Sequence, residues 1–68
     1  MAERLANRLK ERRAELGLTQ AELAERVGVT RKTVNTVENG VFTPSATLAI
    51  KLAAALDLTV EQLFWFER

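Results

Sequence analysis

The side chains best equipped for chemistry stand together in VTRKTVNTVENG, residues 29–40: Arg31, Lys32, Asn35, Thr36 and Asn39, with one carboxylate, Glu38. Catalysis is not what they suggest. The chain has no histidine and no cysteine, so the commonest general base and the usual soft metal ligands are missing. VENGVF holds a single glycine and makes no phosphate cradle. No enzyme activity, metal or cofactor is expected. What the stretch offers is directional hydrogen bonding. Arg and Lys suit guanine, Asn suits adenine, Thr suits a base or the thymine methyl, and all of them suit phosphate oxygens.

A helix over about Thr30–Asn39 would sort these groups by side. At about 100° per residue, Val34 and Val37 fall on one side with Thr33. Asn35, Asn39 and Lys32 fall on the opposite side, with Arg31 and Thr36 at its margins. An ordinary solvated surface would also look polar, so this face needs its neighbours to give it meaning. Just before it, TQAE at 19–22 is a capping box, with Thr19 and Glu22 bonding reciprocally to each other's amides. That box opens a helix from about Gln20 to Val27. Only Gly28 and Val29 then precede Thr30, itself a good N-cap. Two short helices so closely joined cannot lie antiparallel; they must cross steeply, as in a helix-turn-helix.

The rest of the text reads as helix too. Residues 2 to about 16 carry Leu5, Leu9 and Leu16 on one stripe, closed by Gly17. Pro44 suits the first turn of a helix over about 45–56, with Leu48, Leu52 and Leu56 at helical spacing. Asp57 stands where a left-handed C′ residue is wanted. TVEQ, residues 59–62, is a second capping box, opening a short helix through about Trp65. The expectation is all-α: five short helices in a single domain, 1–68.

The bulk numbers bound this reading. The chain has 68 residues, 47% apolar and 28% charged, which fits one small globular domain without disulfide or metal staples. LAIKLAAALDL is the longest apolar stretch and Lys51 breaks it, so no membrane span or signal peptide is expected and a cytoplasmic protein is. The net charge of +1 hides an asymmetry, because residues 1–32 hold eight of the ten Lys and Arg. A basic front half suits an anionic partner.

Glu38 needs an account in such a setting, since a carboxylate beside phosphates repels them. Arg12 and Arg13 both flank the leucine stripe of the first helix, and either could reach Glu38 in a bidentate pair that fixes the pose of the third helix. The helical wheel leaves that choice open.

The text LKERRAELGLTQAELAERVGVTRKTVNTVENG, followed by PS…LAIKLAAALDLTVEQLF, resembles the Cro and phage-repressor type of helix-turn-helix, the XRE-like group of bacterial, archaeal and phage DNA-binding regulators. The resemblance covers about residues 5–64, and GLTQAELA with VT…V…VENG at this spacing is specific. It implies a lambda-repressor-like domain and sequence-specific binding of double-stranded DNA by a small regulator, a repressor in the first instance. By resemblance, Arg31, Lys32 and Asn35 enter the major groove, with Thr36 a further reader. Gln20, Thr30 and Asn39 contact phosphates. The family's arginine matches Arg13, which makes Arg13 and Glu38 the structural ion pair and leaves Arg12 as a surface phosphate contact. The chain departs from the family after ENG, where Val41 and Phe42 stand in place of the frequent Lys or Arg.

The ending FWFER concentrates Phe64, Trp65 and Phe66. So small a domain cannot easily bury all three, and exposed adjacent aromatics often mark an interface. A homodimer through these residues is expected; two copies on a two-fold axis would read a palindromic operator with recognition helices about 34 Å apart. The less specific alternative folds the tail back on the first helix as satellite core. A rival of another class is a protein-interaction module, such as an antitoxin or co-regulator, that uses the aromatic tail to hold a partner.

Overall fold

A computed structural model describes residues 3–67. The elements run β1 (Arg4–Asn7), α1 (Leu9–Glu15), α2 (Gln20–Val27), α3 (Arg31–Glu38), α4 (Ala46–Ala55), α5 (Val60–Leu63) and β2 (Phe64–Glu67). The described residues form five helices, as the sequence suggests, but the fold is not strictly all-α. The two strands form an antiparallel sheet with Arg4 opposite Glu67, Leu5 opposite Phe66, Ala6 opposite Trp65 and Asn7 opposite Phe64.

This sheet corrects two expectations. The first helix does not extend back through residues 4–7; it starts at Leu9. The fifth stops at Leu63, and Phe64 is already extended at φ −124° and ψ 142°. The physical reason is tertiary. Residues 4–7 have no strong strand preference of their own, but the aromatic run 64–66 does, and pairing with it outweighs a weak helical tendency. Leu5 keeps its inward side under either geometry and packs against the core. Leu16, expected on the buried stripe, is 42% exposed; Leu18, beyond the Gly17 turn, is buried instead.

Local signals set the remaining boundaries. Thr19 and Thr59 each complete the reciprocal capping box with Glu22 and Gln62. Pro44, expected in the first turn of α4, stands just before it; Ser45 caps the helix by accepting from the Leu48 amide at 3.1 Å. After α3 the chain reverses through Gly40, at φ +72°. There the Gly40 amide donates to the Val37 carbonyl and the Val41 amide to the Thr36 carbonyl, the paired bonds of a Schellman turn. Asp57 makes the same turn after α4 at φ +57°, in a region that L residues other than Asn and Asp rarely visit.

Every helix contributes to the core, in which Leu9, Leu23, Val34, Val37, Leu52, Leu56 and Leu63 are at most 1% exposed. Each large aliphatic side chain so enclosed contributes roughly 1.5–3 kcal/mol. Val34 and Val37 turn one side of α3 into this core, which fixes what its other side presents.

Candidate nucleic-acid interface

Gly28, in the left-handed region at φ +76°, turns the chain between α2 and α3. Val29 tucks against the core, and the Thr30 hydroxyl accepts from the Thr33 amide at 3.2 Å to start α3. A turn this short, anchored by one apolar residue, leaves α3 little freedom of angle.

On the side of α3 away from the core, Arg31, Lys32, Asn35 and Asn39 are exposed. The ion pairs among the described residues join Arg4 to Glu67, Arg12 to Glu15 and Arg13 to Glu38. Arg31 and Lys32 thus have no acidic partner among the described residues, and the Asn35 amide side chain has no internal bond there. These side chains are free to bond a ligand. Thr36 is different: it is half-buried and its hydroxyl donates to the Thr33 carbonyl at 2.9 Å, so it offers a lone pair and a methyl more readily than a donor. Asn39 donates to the Asn35 carbonyl at 2.9 Å, which steadies the end of the same face.

Glu38 lies beneath that face, its side chain only 3% exposed. Arg13 reaches it from α1 with Nε at 2.6 Å from Oε2 and Nη2 at 3.3 Å from Oε1. Gln20 reaches it from α2 with Nε2 at 3.1 Å from Oε1. The third nitrogen of the Arg13 guanidinium donates to the Leu18 carbonyl at 2.7 Å. One carboxylate therefore ties three helices, its charge neutralised by Arg13. Gln20 keeps a second amide hydrogen for an external acceptor.

Arg12 is engaged elsewhere. Its Nε donates to the Leu56 carbonyl at 2.8 Å, closing the end of α4, and Nη1 meets Glu15 at 3.2 Å. Among the aromatics, Phe64 is buried at 8% exposure and belongs to the core. Trp65 is half-buried under the Arg8 guanidinium, 5.4 Å from its ring centroid. Phe66 alone of the three is largely exposed, at 66%.

Sequence reasoning missed Asn7. Its Nδ2 donates to the Val37 carbonyl at 3.1 Å and its Oδ1 accepts from the Leu9 amide at 3.0 Å. One side chain thus starts α1 and holds the C-terminal turn of α3 against the sheet. An Asn two residues before an apolar helix start is an Asx-turn signal, but it was hidden inside what reads as continuous helix.

A helix-turn-helix family profile matches residues 9–63. The chain belongs to the Cro- and phage-repressor-type (XRE-like) helix-turn-helix family. Within it, the chain is 44% identical over 63 residues to the uncharacterized HTH-type transcriptional regulator YgzD of Bacillus subtilis, covering 93% of this chain and 96% of that one. It is 58% identical over 57 residues to an HTH-type transcriptional regulator of Methanothermobacter thermautotrophicus, with 82% and 83% covered. Among solved structures, the restriction-modification controller protein C.AhdI from Aeromonas hydrophila superposes with a TM-score of 0.76 at 40% identity, covering 81% of this chain and 80% of that one. In this helix-turn-helix family member, α2 and α3 are the motif, packed through Leu23, Val27, Val34 and Val37 and joined by the Gln20–Glu38 bond.

Proposed function

We propose that this chain is a sequence-specific double-stranded DNA-binding transcriptional regulator, with α3 lying in the major groove. The observation that carries the reading is the set Arg31, Lys32 and Asn35, exposed and unpaired among the described residues, on a helix pinned from behind by Val34, Val37 and the Arg13–Glu38–Gln20 clamp. A pinned helix gives up little orientational freedom on binding, so its donors meet base edges at small entropic cost. Arg31 and Lys32 read guanine, Asn35 reads adenine, and Thr36 supports through its methyl. Gln20, Thr30 and Asn39 bond phosphates on either side of the groove and set the register without reading sequence. Regulation is by occupancy of an operator, which makes a repressor the simplest output, and the site of action is the cytoplasm. Two copies on a two-fold axis read a palindrome, with the contact between copies at the exposed Phe66 and the half-buried Trp65 beside it.

Selection of bound sites from random duplex DNA supplies the probe and its half-site spacing. On that probe, Arg31→Ala or Asn35→Ala is expected to cost roughly 1–3 kcal/mol and to relax specificity at one position. Gln20→Ala is expected to weaken all sequences alike. If changes at Arg31, Lys32 and Asn35 leave DNA affinity intact, while Trp65→Ala abolishes capture of a protein partner, the domain is an interaction module instead.

A further inference from the structure

The chain has three asparagines, and of these only Asn39 is followed by glycine. An Asn–Gly pair can react with itself. The glycine nitrogen attacks the side-chain carbonyl carbon of the asparagine, ammonia leaves with the amide proton, and a five-membered succinimide closes. Water then opens the ring to aspartate or isoaspartate. Glycine favours the attack because no side chain shields its nitrogen. In an unfolded chain such a pair converts within days at neutral pH. An asparagine before arginine or threonine, as Asn7 and Asn35 are, converts far more slowly.

The fold holds the two reacting atoms apart. Ring closure needs the Gly40 nitrogen eclipsed with Cβ about the Cα–C bond of Asn39, and at φ −87° and ψ 4° the two lie one tetrahedral step from that position. Turning ψ so far would pull the Gly40 amide from the Val37 carbonyl at 3.1 Å, and the Val41 and Phe42 amides from the Thr36 carbonyl at 2.9 and 3.2 Å. The carboxamide is tied as well, with Nδ2 on the Asn35 carbonyl at 2.9 Å. Asn7 secures the turn from outside through its own bond to the Val37 carbonyl, at 3.1 Å. Gly40 stands here because the turn runs at φ +72°, a conformation that strains residues with a Cβ. The residue that ends α3 is thus the one that makes Asn39 reactive.

We infer that Asn39 is a self-deamidation site gated by the C-terminal turn of α3, and that its conversion takes the protein off DNA. The second half rests on the DNA-binding reading above. Asn39 is exposed at the end of the outward side of α3. A carboxylate in its place repels phosphates, sits at the negative end of the helix and has no proton to give the Asn35 carbonyl. The reaction follows the population in which this turn has opened. Duplex lying across α3 holds the turn closed, so the copies that age are the unbound ones.

The test incubates the native chain at neutral pH alone, with its selected duplex, and in concentrated urea. Conversion is read from the mass of the peptide carrying Asn39, and isoaspartate by enzymatic methylation. The expected order is urea fastest, the free native chain roughly tenfold or more slower, and the DNA-bound chain slower again. Asn7→Ser keeps an oxygen to accept from the Leu9 amide but loses the donor to the Val37 carbonyl, so it should convert several-fold faster than the native chain. Asn39→Asp should bind every sequence about tenfold more weakly than Asn39→Ala, and the binding-competent fraction of aged protein should fall in step with conversion. No conversion at Asn39 in urea removes the site, and equal rates in urea and in the native chain remove the gate. Equal binding by the two Asn39 variants, with aged protein as competent as fresh, removes the consequence for DNA. A native chain that binds no duplex removes the DNA-binding reading and that consequence together, while the free and unfolded rates still decide the gated site. Should Asn7→Ser fail to fold, the urea comparison decides.

Discussion

Replacing Glu38 with alanine removes the acceptor on which three helices converge. The Arg13 side chain is 14% exposed and that of Glu38 3%, so the pair lies well out of water. Breaking a pair of this kind from one side strands the other charge, at roughly 3–5 kcal/mol. The whole domain is expected to hold about 3–10 kcal/mol, from about 0.05–0.15 kcal/mol per residue over 68 residues. Glu38→Ala should therefore leave a protein that is barely folded, with the melting temperature lowered by some 12 °C or more at about 4–8 °C per kcal/mol. Glu38→Gln keeps the shape and two hydrogen bonds while still stranding Arg13, and should fall between. The double replacement Arg13→Met with Glu38→Leu removes both charges together and should recover much of the loss, because no buried ion is left unpaired. Urea unfolding of the four proteins, followed by circular dichroism, gives the comparison. A cost for Glu38→Ala below about 1 kcal/mol, as exposed pairs show, would refute the reasoning. So would a double variant no more stable than the single one.

Other consequences are open to direct measurement. Asn7→Ala loses two part-buried side-chain bonds and should cost roughly 1–3 kcal/mol, with faster amide exchange at the start of α1, where the Leu9 amide loses its acceptor. Asp57→Gly relieves a non-glycine residue at φ +57° and should raise stability by about 0.5–1 kcal/mol in chemical denaturation. Thr19→Ala opens the capping box of α2 and should cost about 0.5–2 kcal/mol. The Glu22 carboxyl is held below its ordinary pKa first by the Thr19 amide and then by the Thr19 hydroxyl, and that of Glu67 by the Arg4 guanidinium. Groups depressed in the folded state stabilise it above their unfolded pKa, and that contribution disappears as pH falls through the folded value. Carboxyl resonances of Glu22 and Glu67 should thus titrate below the ordinary glutamate range, with stability declining over the same acid interval; ordinary titration at both would contradict the assignment.

What the sequence determined by itself is local. Thr19 with Glu22 and Thr59 with Gln62 bond over three residues, so the starts of α2 and α5 needed no knowledge of the fold. The same holds for the reversal at Gly40, and for the outward side of α3, because two valines at helical spacing leave only one side to face inward. Pairings over long separations were not legible. Arg4 and Glu67 lie 63 positions apart, and nothing in RLAN announces a strand until FWFE is beside it. Periodicity there gave the wrong element because a leucine stripe on a helix and alternation on a strand both put Leu5 inside. The helical wheel likewise left Arg12 and Arg13 equivalent; packing sends one to Glu38 and the other to the Leu56 carbonyl. Asn7 has its role only because β1 passes the end of α3. Short-range bonds are written in neighbouring letters, whereas contacts across the chain exist only once the core has brought their partners together.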